Sequence, residues 1–196
     1  MFIAAADCTG HGVPGAMVSF VCSNALTKSV LEDHISDPGK ILDNSRNIVI
    51  DRFSKNDQSL KDGMDISLCS FDPQSQLLKW SGANNPIIIF RKDAVSYEEI
   101  KGDKQPVGKY SNMKPFTTHE TQLEKGDRVY MYSDGYVDQF GGDKGKKLKS
   151  KNFKKLLEDI QKYPMNEQQE HLDTFYENWT QNFEQIDDIC VIGFEI

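Results

Sequence analysis

An apolar run from Phe2 to Ala6 ends on Asp7, and Cys8-Thr9-Gly10-His11-Gly12-Val13-Pro14-Gly15 follows at once. The run reads as a buried strand. Glycines and a proline then force a tight turn, after which a helical pattern begins. A strand that ends in a carboxylate, followed by backbone that a ligand can approach closely, suits a cation or a phosphate. The layout recurs. Arg128-Val-Tyr-Met-Tyr-Ser133 is a strand pattern ending in Asp134-Gly135, and Asp187-Asp188 stands directly before the strand pattern Ile189 to Phe194. Acids at strand ends can converge on one rim of a sheet, where they repel one another unless a cation neutralises them. Oxygen ligands without a His or Cys cluster suit a hard ion such as Mg2+ or Mn2+.

Between these acids the hydrophobic period changes twice. Met17, Phe20, Val21, Ala25 and Leu31 predict a helix over Ala16 to Leu31, and Pro38 opens a second through Ile41, Leu42, Ile48, Val49 and Phe53. From Asp65 the pattern is strand-like: Ile66 to Phe71, Leu77 to Ser81 and Ile87 to Arg91, divided by Asp72-Pro73 and Gly82-Ala-Asn-Asn-Pro86, read as an antiparallel meander. Tyr97 to Ile100 and Phe116 to Leu123 add strands, with Gln105-Pro-Val-Gly108 as a loop between them. Lys151 to Gln161 and Met165 to Phe183 read as two helices joined at Pro164. Helices, a run of strands, helices and a last strand make an α+β chain with antiparallel sheets. Gly10-x-Gly12-x-x-Gly15 also matches a dinucleotide-binding fingerprint. A Rossmann unit would run from its helix into a second strand ending in an acid. Here the first helix leads into another helix, and Asp7 would repel a pyrophosphate.

Six ordered motifs, Asp7-x-Thr-Gly-His-Gly-Val-Pro-Gly-Ala, Gly63-Met-Asp65, Gly82-Ala-Asn-Asn-Pro86, Gln105-Pro-Val-Gly108, Gly126 to Gly135 and Gln185-Ile-Asp-Asp-Ile189, span the chain. Together they resemble the PPM (type-2C) family of metal-dependent serine/threonine phosphatases, in its bacterial sporulation-phosphatase (SpoIIE-like) branch. The resemblance implies a single catalytic domain over residues 1–196 with an antiparallel β-sandwich flanked by helix pairs. It implies two Mn2+ or Mg2+ ions bridged by Asp7, with Asp134, Asp187 and the main-chain carbonyl of Cys8 completing their ligands. A metal-activated hydroxide would attack the phosphorus, so neither Ser133 nor Cys8 is expected to act as a nucleophile. The implied substrate is a phosphorylated partner protein, in this branch often an anti-sigma-factor antagonist, and the first helix pair is implied in homodimer formation and regulatory switching. Family members carry an upstream acidic motif and strands, so the expectation is a domain shortened at its N-terminus, with a sensor or signalling domain in the full-length protein. A non-catalytic regulatory module of the same fold is the alternative.

Several residues keep two readings. His11 suits a general acid for the leaving serine oxygen, or a turn residue. Asp65 orients the metal ligands, or serves a turn or cap. Asp188 is expected beside the ligands, and Gly10, Gly12, Gly15 and Gly135 as backbone requirements. Asn84 and Asn85 read as turn formers. Lys144 to Lys155 holds seven lysines and is either a solvated loop and helix start or a docking strip for an acidic partner.

Bulk properties narrow the classes. A net charge of -7 argues against a nucleic-acid partner. The longest apolar run, Ile87 to Phe90, is too short to span a bilayer. Cys8, Cys22, Cys69 and Cys190 have no paired spacing and read as reduced core thiols of a cytoplasmic protein.

Overall fold

The computed structural model describes residues 1–54, 62–94 and 96–196. Strand β1 (Phe2–Cys8) leads into helix α1 (Gly12–Thr27), a π-helical turn (Lys28–Glu32) and helix α2 (Pro38–Ser54). Strands β2 (Gly63–Asp72), β3 (Leu77–Ala83), β4 (Ile87–Phe90), β5 (Tyr97–Ile100), β6 (Val107–Gly108), β7 (His119–Gln122) and β8 (Arg128–Tyr132) follow. Next come the short helix α3 (Gly135–Asp138), a hairpin of β9 (Phe140–Gly141) and β10 (Lys146–Lys147), helices α4 (Ser150–Ile160) and α5 (Met165–Thr180), and strand β11 (Val191–Glu195).

The strands form two main antiparallel sheets. One has the order β1-β2-β3-β7, with β6 also on β2, and the other β11-β8-β4-β5. Alternation of side chains along each strand gives both sheets two buried faces. On β4, Ile87 and Ile89 point into the core between the sheets, whereas Ile88 and Phe90 point to α4 and α5. On β8, Val129 and Met131 share the first face, and Tyr130 and Tyr132 the second. On β2, Met64, Ile66 and Leu68 meet α1 and α2 while Cys69 and Phe71 face the other sheet. The layers are therefore helix, sheet, sheet, helix, the expected sandwich.

Three boundaries depart from the sequence reading. The strands from β2 to β4 are not one meander. Ile87-Ile88-Ile89-Phe90 is buried throughout, so it belongs at the centre of a sheet. The turn after β3, with Asn84 at φ 59, carries it across to pair with β8 and β5. The first helix starts earlier than Ala16 and ends in a π-helical turn, where the buried Ser29 hydroxyl bonds the Ala25 carbonyl and Ser45 Oγ. Part of the expected Gln105–Gly108 loop is strand β6, registered on Gly63 and Met64.

Candidate metal centre

Antiparallel pairing of β1 with β2 sets Asp7 directly opposite Asp65. Like charges so placed destabilise a strand pair, which already marks this end of the sheet as built for something other than stability. Asp65 thus lies inside a strand, not in a turn or a cap. Asn84 Nδ2 donates to its Oδ1 at 2.8 Å, so Asn84 both forms the turn and orients this carboxylate. Burial pushes the Asp65 acid above its ordinary value, helped by the Asp134 charge and opposed by the Asn84 hydrogen bond.

The second sheet delivers the other acids. Asp134 follows β8 and stands at the N-terminus of α3 without capping it through its side chain, which leaves the carboxylate available. Ser133 ties its strand to the approach to β11. Its amide donates to the Cys190 carbonyl at 2.9 Å, its hydroxyl donates to the Asp188 carbonyl at 3.2 Å, and that hydroxyl accepts from the Cys190 amide at 3.0 Å. Gly135 completes the junction, since a Cβ there would sit against the Asp188 carbonyl oxygen. One strand end is thereby held against the other, and Asp134 comes beside Asp187.

Across the two sheets, Asp7, Asp134 and Asp187 each present a carboxylate oxygen within 4.8 Å of the others. The Asp7 acid is pushed up to about 7, chiefly by burial, then by a hydrogen bond with Asp134 and repulsion from Asp187 and Asp134. These side chains open into a cavity of about 650 Å³ that Asp65, Asp188 and His11 also line, with no Lys or Arg among the described residues on its walls. Three converging carboxylates without a cationic side chain are a donor set that fits a hard divalent ion.

The remaining sequence candidates are placed as follows. Asp188 lines the cavity outside the trio, and its amide donates to Asp187 Oδ1 at 2.9 Å. His11 precedes α1 with an exposed imidazole and caps nothing with its side chain. Gly10 and Gly12 adopt φ of 90 and 64, a region other residues avoid, and the loop is pinned by the Thr9 amide on the Gly63 carbonyl at 3.0 Å. Cys8 is half-buried beside the cavity, and so is not the core thiol the sequence suggested. Its acid is lowered to about 7 by a hydrogen bond from Cys22, against the effect of burial. Cys22 and Cys69 are buried as expected, while Cys190 is also half-buried. Sequence reasoning missed the roles of Ser133 and Asn84, because the hydrogen bonds they make join segments far apart in the chain.

Comparison with known proteins adds the family. No curated protein matches the chain. Among solved structures, the SiaA-PP2C domain of Pseudomonas aeruginosa superposes with a TM-score of 0.88 at 27% identity, covering 100% of this chain and 75% of that one. The PP2C phosphatase domain with a fragment of the regulatory domain of the cell fate determinant SpoIIE from Bacillus subtilis gives 0.73 at 20% identity, with 98% and 52% covered. This chain thus spans about half the length of that solved chain. The catalytic domain of the serine/threonine protein phosphatase PstP, in complex with 2 manganese ions, gives 0.65 at 17% identity, with 98% and 86% covered. The model of the Stage II sporulation protein E (SpoIIE) family matches residues 1–196. The chain belongs to the Stage II sporulation protein E (SpoIIE) family of PP2C-like domains.

Proposed function

We propose that this domain hydrolyses phosphoserine or phosphothreonine on a partner protein, using two Mn2+ or Mg2+ ions held by Asp7, Asp134, Asp187 and the Cys8 main-chain carbonyl. The observation that carries the reading is the convergence of three carboxylates within 4.8 Å on a cavity with no lysine or arginine among the described residues that line it. When bound, the ions supply positive charge for the phosphoryl oxygens and acidify a coordinated water. The chain's own residues do the rest. Asp65, held by Asn84, and Asp188, through its amide, orient the ligand carboxylates. His11, exposed on the cavity wall, delivers a proton to the leaving oxygen. Ser133 Oγ is engaged with Asp188 and Cys190, and so serves the scaffold and not the substrate.

The partner reading is a phosphoprotein of a signalling pair, such as an anti-sigma-factor antagonist. A second copy of the chain is proposed to cover the outer side of α1, where Val13, Met17 and Phe20 are 79%, 64% and 67% exposed. Four free cysteines favour a cytoplasmic setting, and among the described residues no helix is long and apolar enough to cross a membrane.

The test is hydrolysis of a phosphoserine peptide with Mn2+, with chelator, and with the Asp134→Asn variant. Metal-dependent turnover that falls by about 100-fold or more in the variant is expected. Turnover that survives chelation, or is unaffected by the variant, would refute the metal mechanism. Metal binding without any turnover would favour the regulatory module.

A further inference from the structure

The cavity is walled by carboxylates, yet a strip of positive charge begins one short helix away. The amide of Asp138, at the end of α3, donates to the Asp134 carbonyl at 2.8 Å, and the Asp138 carboxylate pairs with Lys147 Nζ at 2.6 Å. Lys147 lies on the β9–β10 hairpin, and that hairpin is firmly seated. The fully buried Gln139 before it donates to the Glu184 carbonyl at 3.0 Å and accepts from the Tyr176 hydroxyl at 3.0 Å. The Trp179 indole donates to the Gln139 carbonyl at 3.1 Å and its ring packs against Gly141 and Gly142. From Glu184 the chain runs through Gln185 and Ile186, which line the cavity, to Asp187. The hairpin is therefore clamped to both segments that supply Asp134 and Asp187.

On this platform Lys144, Lys146 and Lys149 are exposed, and Lys151 and Lys155 continue the strip along α4. Lys147 and Lys154 have carboxylate partners. No ion pair engages the other five among the described residues. Helix α4 has no acid in its first turn, so the lysines add to the positive end of its dipole where acids would offset it. Unbalanced positive charge in a chain of net charge -7 focuses an anionic partner on this one place. A nucleic acid would run off so short a patch onto a repelling surface, whereas a short acidic stretch of protein matches it.

We propose that the β9–β10 hairpin and the start of α4 form a docking strip for an acidic segment of the phosphoprotein substrate, holding the segment beside the carboxylate cavity. The role in substrate delivery rests on the phosphatase reading above, but the docking itself is measurable without turnover.

The experiment is fluorescence anisotropy of a dye-labelled, unphosphorylated glutamate-rich peptide and its glutamine counterpart. The proteins are wild type, a variant combining Lys144→Ala, Lys146→Ala, Lys149→Ala, Lys151→Ala and Lys155→Ala, and Lys125→Ala at the opposite end of β8. Lys144→Glu with Lys146→Glu, confined to exposed hairpin positions, provides a milder variant should the fivefold one fold poorly. Wild type is expected to prefer the glutamate peptide by about tenfold at low salt, with the preference fading at high ionic strength. The hairpin variants lose that preference and Lys125→Ala keeps it. Absence of the preference in wild type, or its survival in a folded hairpin variant, overturns the proposal. An oligonucleotide of equal charge that binds more tightly than the peptide overturns the assignment to an acidic protein. Loss of phosphoserine hydrolysis with the peptide preference intact would refute the phosphatase reading and leave the docking strip standing.

Discussion

Asp7 shows what the site demands of single residues. Its acid is raised from 3.8 to about 7 by burial and by Asp134 and Asp187, so the metal-free fold binds a proton there that the unfolded chain has released. The stabilising contribution of that proton is complete below about 4 and disappears as the pH rises through about 7. A cation must displace the same proton. Mn2+ affinity is therefore expected to climb between about pH 5 and 7 and to level off above, with about one proton released per binding event at pH 6 and almost none at pH 8. Calorimetry in buffers of different ionisation enthalpy measures this, and pH-independent affinity would contradict it. Ser133 works at the same scale through three hydrogen bonds. Ser133→Ala is expected to weaken Mn2+ binding about tenfold or more, with loss of about 1–3 kcal/mol in stability from the unpaired Cys190 amide and related groups. Denaturant unfolding beside metal titration separates the two effects.

At the scale of elements, what was legible in the sequence follows from period and composition. The alternation on β2 and β8, the terminal acids Asp7 and Asp134, and the Asp187-Asp188 pair before β11 could be read directly, because strand ends and side-chain faces are local properties. The swap of β4 to the second sheet could not. A run such as Ile87 to Phe90 shows that a strand is buried on both faces without showing which neighbours bury it. Asp65 was similarly ambiguous until register set it opposite Asp7. Asp187 and Asp188, adjacent in sequence, differ only in which carboxylate reaches the trio, and that depends on the backbone path before β11. The junction between β8 and β11 makes a sharp prediction here. Gly135→Ala drives a methyl group against the Asp188 carbonyl oxygen and is expected to cost about 1–3 kcal/mol while lowering metal affinity. A thermal melt and metal affinity indistinguishable from wild type would show that the two strand ends are not fixed through this contact.

At the scale of the whole molecule, two sheets contribute to one centre: Asp7 and Asp65 from one, Asp134 and Asp187 from the segments that end the other. Nothing in the apolar core requires those acids to meet, and their repulsion works against the packing that brings them together. A bound cation reverses this, so metal occupancy and fold stability are linked. The most direct measurement is the melting temperature of wild type and Asp7→Asn as Mn2+ is added. Above pH 7, where the Asp7 carboxylate is ionised in the metal-free fold, removing its charge relieves repulsion, so at pH 8 the metal-free variant is expected to melt a few degrees above metal-free wild type. Wild type is then expected to gain stability with Mn2+ while the variant responds only at concentrations about 100-fold higher. An Asp7→Asn protein that melts lower without metal and responds to Mn2+ over the same range as wild type would contradict a shared carboxylate centre at these strand ends.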